Sequence, residues 1–334
     1  MLRTFAILFF PITALLATSS SGFVFETAPF ASCHASTIVE TKPGVFLAAW
    51  FGGDDEGKPN VAIWSSQFEN GKWSAPVELA REPQIATYNP VLFYTKDRTL
   101  WLYYKFGPHP SDWSAGRRSS KDDGKTWSEI EHLPAGIYGP IKNKPLVLPD
   151  GAVVSGTSVE SYHAWTPWVE RSVDNGETWS KHGPIIYPGE AYAAIQPAIV
   201  PVGGNRLRMF VRTTKRIGKI AAADSSDGGK TWSPLRATEL PNPNSGIDAV
   251  GLKDGRIVMI YNHTASGRSP LNLGVSSDGE KWQMFQVLES EPGEYSYPAI
   301  IQSQDGALHA VYTWNRKRIK HVVVSLADIP GGKK

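Results

Sequence analysis

Apolar residues along this chain fall in short runs separated by turn-forming pairs. Residues 45–50, 100–104 and 257–261 are dense in aliphatic and aromatic side chains, and Pro43-Gly44, Pro149-Asp150-Gly151, Asp254-Gly255 and Asp305-Gly306 punctuate the chain between such runs. Runs of this length bounded by Gly, Pro and Asp predict β-strands joined by tight turns. A longer period is superimposed on them. The pattern Ser-x-Asp-x-Gly-x-x-Trp occurs at 120–127, 172–179 and 225–232, with a copy shortened by one residue at 276–282 and a degenerate one at 65–73. The leading serines, Ser65, Ser120, Ser172, Ser225 and Ser276, are separated by 55, 52, 53 and 51 residues, and a further 49 reaches Ser325. Each motif reads as a hairpin turn in which Asp and Gly satisfy the tight backbone while Ser and Trp tuck it against the next strand. The ligand spacing of a calcium loop is missing from it. Six units of about 50 residues, each long enough for four strands, predict an all-β, six-bladed propeller, with residues 23–25 closing the ring by pairing into the last blade.

Composition adds few constraints. The 334 residues carry a net charge of +2, so nothing in the bulk charge calls for a nucleic-acid partner. Arg3, the apolar stretch 5–16 and the small residues 17–22 predict a signal peptide over residues 1–21, hence a secreted or periplasmic protein with one domain over 22–334. No other stretch is apolar enough to span a bilayer, so no membrane contact is expected once the leader is removed. Cys33 is the single cysteine, so no intrachain disulfide forms. No His/Cys cluster has metal spacing and no glycine loop cradles a phosphate; neither metal nor cofactor is expected. A monomer is expected.

Aligning the units brings polar residues into register. The first positions of the innermost strands hold His34, Asn89, Lys144, Gln196, Asp248 and Tyr297, and the second strands end at Glu56, Lys105, Glu160, Arg212, Asn262 and Arg316. In a propeller these two sets meet at one mouth of the channel, where converging polar groups make a binding site. With Arg268 the set mixes cations and carboxylates, which suits an acidic carbohydrate partner gripped by guanidinium groups. Trp50, Trp165, Trp168 and Trp314 are available to stack on sugar rings.

The serine-to-tryptophan repeats, with the runs Ser32-Cys33-His34-Ala35-Ser36-Thr37, Gly139-Pro140-Ile141-Lys142-Asn143-Lys144-Pro145 and 240–248, resemble the sialidase (neuraminidase)-like BNR/Asp-box family, in its predicted-neuraminidase branch, over nearly the whole mature chain. The resemblance implies three arginines on a substrate carboxylate, a tyrosine nucleophile activated by a glutamate, and an aspartate acid/base. Arg212 and Arg268 match the second and third arginines, Tyr295 the nucleophile with Tyr297 beside it, and the loop Asp54-Asp55-Glu56 the acid/base. The match departs at two places. His34 stands where the first arginine belongs, and Gln196 replaces the activating glutamate; an amide cannot accept the tyrosine proton. Glu160 is a substitute from a neighbouring blade.

Three functions therefore compete. The first is an exo-acting glycosidase of sialidase type that removes a terminal acidic sugar, with Arg212 and Arg268 on the carboxylate, Tyr295 or Tyr297 attacking and Glu56 or Asp55 donating the proton. The second is a uronate-cleaving lyase of the rhamnose-glucuronate type, with His34, Tyr297 and Lys144 as its machinery. The third is a non-catalytic carbohydrate-binding propeller.

Overall fold

The computed structural model describes residues 19–332; residues 1–18, which hold most of the expected leader, lie outside the described residues. Six antiparallel sheets follow one another along the chain. Their innermost strands are Ser32–Lys42, Thr87–Tyr94, Leu146–Val147, Ala194–Pro201, Asp248–Gly251 and Tyr295–Gln302, which define blades one to six. The second strands are Val45–Gly53, Leu100–Phe106, Val153–Glu160, Leu207–Thr213, Ile257–Tyr261 and Leu308–Trp314, and the first, second and fifth contain the apolar runs 45–50, 100–104 and 257–261 that predicted them. The ring closes as expected but begins earlier: Ser20–Phe23 pairs antiparallel with residues 320–323 of Arg318–Val324, and the Val24 amide adds a bond to Ile319. Closure gives blade six its fourth strand from the far end of the chain and covers an exposed sheet edge.

The repeat motifs form the turns between third and fourth strands. In the copy at 225–232, Ser225 Oγ donates to Asp227 Oδ1 at 2.9 Å and accepts from the Gly229 amide at 2.9 Å. Asp227 also takes the Lys230 and Thr231 amides at 3.0 Å, and the Trp232 indole donates to the Gly229 carbonyl at 3.1 Å. The copies at 120 and 172 repeat the Ser–Asp–Gly–Thr part of this network. The degenerate copy is built differently. Ser65 sits within the strand Ala62–Glu69, and the turn is the pair Asn70-Gly71, with φ of 52° and 78°. Two adjacent left-handed residues are what a two-residue hairpin requires.

The core is divided into six wedges, one at each blade–blade interface. Trp50 is fully buried in the wedge between blades six and one, stacked on Phe25 at 5.0 Å, and is therefore not a sugar platform. Cys33 lies in the same wedge, where burial pushes its thiol up to about 12 and leaves it an inert packing residue.

Around the axis the repeat is broken. The innermost strands of blades one, two, four and six slip register between His34 and Thr37, Tyr88 and Val91, Ile195 and Ala198, and Ser296 and Ala299. The bulges hold Ala35, Asn89, Gln196 and Tyr297 at φ of 56°, 40°, 58° and 49°. Bulges re-aim side chains, and non-glycine residues in this region collect where the surroundings hold them for a purpose. By this register Ala35 is the partner of Asn89, Gln196 and Tyr297. His34 lies one position earlier, and Lys144 lies before its strand begins.

Candidate active site

Tyr297 is the hub of the channel mouth. Its hydroxyl accepts from Arg212 Nη1 at 2.8 Å and from Gln196 Nε2 at 3.2 Å, both from blade four. The guanidinium carbons of Arg212 and Arg268 lie 5.7 and 5.6 Å from its ring centre. Arg212 is steered by Asn244, whose Oδ1 accepts from Nε at 2.8 Å, and by Gln196 Oε1 at 3.3 Å. Burial, with Arg212 and Arg316 as like-charged neighbours, lowers the pKa of Arg268; Tyr297 and Glu294 oppose that shift.

A third guanidinium comes from blade six. Arg316 bonds Glu294 through Nε at 3.0 Å and Glu56 through Nη1 at 2.6 Å, and Glu294 also takes Arg268 Nη1 at 3.4 Å. Glu294 thus ties two arginines to one carboxylate, and Ser296 Oγ donates to the same oxygen at 3.1 Å. Blade one places His34 where the family resemblance implies the first arginine, and Arg316 reaches the cluster from blade six.

His34 packs against Tyr297, ring centres 4.2 Å apart and planes tilted by 48°, and is 1 % exposed with Nδ1 lacking a partner among the described residues. Burial, then Arg316, Arg268, Arg212 and Lys142, push its pKa well below the usual value, so it is a neutral imidazole amid cations. Glu160 ends the second strand of blade three. Burial raises its carboxyl to about 7 despite Arg212, with Glu56 adding to the rise. It pairs across the strands with Trp165, and the Arg212 guanidinium lies 5.7 Å from the Trp165 ring centre. Asp55 is exposed, and its Oδ1 caps the Glu56 amide at 2.9 Å.

Several residues expected at the mouth serve the scaffold instead. Lys144 donates to Asp248 Oδ2 at 2.8 Å and to the Ala249 carbonyl, and Asp248 also accepts the Ile300 amide at 2.9 Å, so the pair braces blade three against five and six. Asn89 donates to the Ile141 carbonyl at 3.2 Å. Lys105 is fully buried and donates to the Pro140 carbonyl at 2.8 Å; burial lowers it to about 7. Asn262 donates to the carbonyls of Arg268, Pro270 and Tyr295 and accepts from Ser245 Oγ. These polar atoms bond backbone groups and neighbours from other blades. Tyr295 is 2 % exposed and packs in the wedge between blades five and six, while the bulge between Ser296 and Ala299 turns Tyr297 out of the strand's alternation and onto Arg212 and Gln196. Trp314 packs edge-on against Phe23 and beneath Arg318.

Three residues of the site escape sequence reasoning. Glu294 has no marker beyond its place directly before Tyr295, and Asn244 lies in a run read only for its likeness to a family. Lys142 is two residues before Lys144 and is fully buried. It crosses to the Ile247 carbonyl at 2.8 Å and the Pro298 carbonyl, flooring the site, and burial lowers it to about 7. Among the described residues no group of three or more His, Cys, Asp or Glu is placed to hold a metal ion, and no helix is long and apolar enough to cross a membrane.

The same architecture recurs in solved structures. The NanB sialidase of Streptococcus pneumoniae matches with a TM-score of 0.76 at 13% identity, over 92% of this chain and 71% of that one. The intramolecular trans-sialidase of Ruminococcus gnavus matches at 0.74 and 14%, over 94% and 99%. A protein of unknown function from Dyadobacter fermentans matches at 0.77 and 16%, over 91% and 97%. At these identities the likeness establishes the fold. A comparison with curated proteins finds no match. The family described as BNR repeat-like domain matches residues 44–310, which is most of the chain, and the protein belongs to this sialidase-like propeller family.

Proposed function

We propose that the protein is an exo-acting glycoside hydrolase that removes a terminal acidic sugar of the sialic acid class from glycans. One observation carries the reading: guanidinium groups of Arg212 and Arg268, from blades four and five, converge on a single tyrosine at the channel mouth, and Arg316 from blade six joins them through the shared carboxylate of Glu294. Glu294 and Glu56 pair with Arg268 and Arg316, and Arg212 bonds only the neutral groups Asn244, Gln196 and Tyr297, which leaves donor capacity for the carboxylate of a ligand. In this reading Tyr297 Oη attacks the anomeric carbon, its developing charge met by the two donors already aimed at it from Arg212 and Gln196. His34, packed against the ring, receives the phenolic proton in place of the missing glutamate once the carboxylate of a bound substrate offsets the charge of the surrounding cations, which otherwise disfavour its protonated form. Glu160, protonated up to about pH 7, donates to the departing oxygen. Water then displaces the tyrosine and restores both groups. Export by the N-terminal leader would carry the enzyme to such glycans.

The test is release of sialic acid from a fluorogenic sialoside and from sialyllactose by the full chain, with Tyr297→Phe as control. Release that Tyr297→Phe abolishes is expected; absence of turnover on both overturns the sialic acid assignment. A second reading, elimination from a uronate, is favoured by Gln196 and by the neutral imidazole beside Tyr297. There His34 or Tyr297 would remove the proton next to the carboxylate. An ultraviolet-absorbing unsaturated product, formed without uptake of water, selects it.

A further inference from the structure

Residues 138–144 join the last strand of blade two to blade three, whose innermost strand is only Leu146–Val147. They are held by side chains and carbonyls of blades two to six. Glu170 of blade three accepts the Tyr138 and Gly139 amides. Lys105 and Asn89 of blade two donate to the carbonyls of Pro140 and Ile141. Lys142 donates to the carbonyls of Ile247 and Pro298, Asn143 Nδ2 to that of Gln196 at 3.0 Å, and Lys144 pairs with Asp248. A buried stretch outside the sheets must find partners for its backbone, and here other blades supply them. We propose that this segment is the positioning element of the catalytic centre, and that Lys142 and Asn143 are the residues through which it sets Tyr297 and Gln196. The inference rests on the hydrolase reading above, and on three observations.

The first is what the two side chains hold. Gln196 and Tyr297 stand at φ of 58° and 49°, and a non-glycine residue keeps such a backbone only where its surroundings over-determine it. Asn143 bonds the carbonyl of Gln196 itself, and Lys142 bonds that of Pro298, the residue after Tyr297. Two bulges from different blades are thus pinned by adjacent residues of one segment. The second is proximity. Lys142 Nζ lies 5.9 Å from the centre of the Tyr297 ring. A Cβ placed on Gly246 would be 3.4 Å from Tyr297 Cδ2 and 3.6 Å from both Gln196 Oε1 and Lys142 Cε, so the three side chains surround one point. The third is saturation. The three hydrogens of an ammonium are matched by Asn143 Oδ1 and the carbonyls of Ile247 and Pro298. That accounts for every donor of this buried side chain, so Lys142 acts through the residues it holds.

Lys142→Met keeps the length of the side chain and removes its donors. Well below the melting temperature, its kcat on a fluorogenic sialoside is expected to fall about a hundredfold, the scale of a misplaced reacting group, while KM, set by the arginines, changes little. Asn143→Ala, which releases the Gln196 carbonyl, is expected to act in the same direction and decides the matter if Lys142→Met does not fold. Unchanged kcat, or a loss carried by KM alone, overturns the proposal. Amide hydrogen exchange separates it from the hydrolase reading. If the wild-type chain cleaves no sialoside, exchange about tenfold faster in Ala194–Pro201 and Tyr295–Gln302 of the variants, with the turn at 225–232 unchanged, still supports the positioning role. Exchange that is unchanged in those strands, or faster throughout the chain, refutes it whatever the kinetics show.

Discussion

The outer turns and the channel mouth are built from the same repeat and use their polar residues in opposite ways. At 225–232 the Asp227 carboxylate is surrounded by donors from its own turn, and nothing is left over for a ligand. At the mouth, Arg212, Arg268, Arg316, His34 and Glu160 come from five blades, and they meet only because the ring closes. The turn is local and repeats because each blade needs one. The mouth is non-local and different in every blade, because a ligand has only one of each group to recognise. Repetition in this chain therefore marks scaffold, and departure from repetition marks chemistry.

The largest effect should follow from the hub of the mouth. Tyr297→Phe removes the oxygen that takes bonds from Arg212 and Gln196 while keeping the ring against His34. Turnover of a sialoside is expected to fall by about a thousandfold or more, the scale of losing a nucleophile, with the melting temperature little changed. Glu160→Gln comes next. The carboxyl is active when protonated, so kcat/KM of the wild type should fall as pH rises through about 7. The amide variant should lose about a hundredfold in rate and show no such descending limb, since nothing remains to titrate there. A pH–rate profile of both proteins checks this. Glu294→Gln is a smaller intervention, because Glu294 touches the arginines and not the reacting atoms. Releasing Arg268 and Arg316 from their shared carboxylate should raise KM about tenfold with kcat nearly unchanged, the pattern of weakened ground-state binding.

The contrast can also be tested from the scaffold side. Asp227→Ala strips the turn of its central acceptor and should cost on the order of 1 kcal/mol of stability, as losing one capping side chain does, while sialoside kinetics stay as in the wild type. The sign with pH follows from the lowered carboxyl. Burial opposes the shift, but the bonds from Thr231 and Ser225 outweigh it and bring Asp227 down to about 2. Its contribution is present above the ordinary carboxylate range and is lost as pH falls through about 2. Thermal melts of both proteins between neutral and strongly acid pH should therefore converge at the acid end.

Legibility in the sequence follows the same division. Three near-identical turns, a fourth shortened one and a degenerate fifth, with the spacing carried on to Ser325, reveal the blade count, because a local network needs the same residues at the same spacing each time. Aligning strand ends also gathers Tyr297, Arg212, Arg316, His34 and Glu160, since strand geometry alone brings those positions to one mouth. It goes astray where the strands are irregular. Register slips between Ile195 and Ala198 and between Ser296 and Ala299 are invisible in composition. Lys144 belongs to a loop, because the innermost strand of blade three is only Leu146–Val147. Whether a polar strand end meets ligand or backbone is decided by neighbours from other blades, as when the carbonyls of Arg268, Pro270 and Tyr295 occupy Asn262.

The smallest expected effect is also the sharpest check on which tyrosine matters. Tyr295 and Tyr297 lie two residues apart on one innermost strand, and the family resemblance alone favours the first. In a regular strand residues two apart share a face, but the bulge between Ser296 and Ala299 sets Tyr297 at a φ of 49° and turns it out of that alternation. Tyr295 is left in the wedge between blades five and six, in one buried cluster with Leu252, Ile260 and Leu273, where burial raises its hydroxyl above the usual range. Tyr295→Phe keeps the ring and its packing, so stability should change by less than about 1 kcal/mol and sialoside kinetics should match the wild type. The same one-atom deletion, made two positions apart, is thus expected to be silent at one site and disabling at the other. Loss of turnover in Tyr295→Phe with a preserved melting temperature would move the nucleophile into the wedge and undo the assignment of Tyr297 as the hub of the mouth.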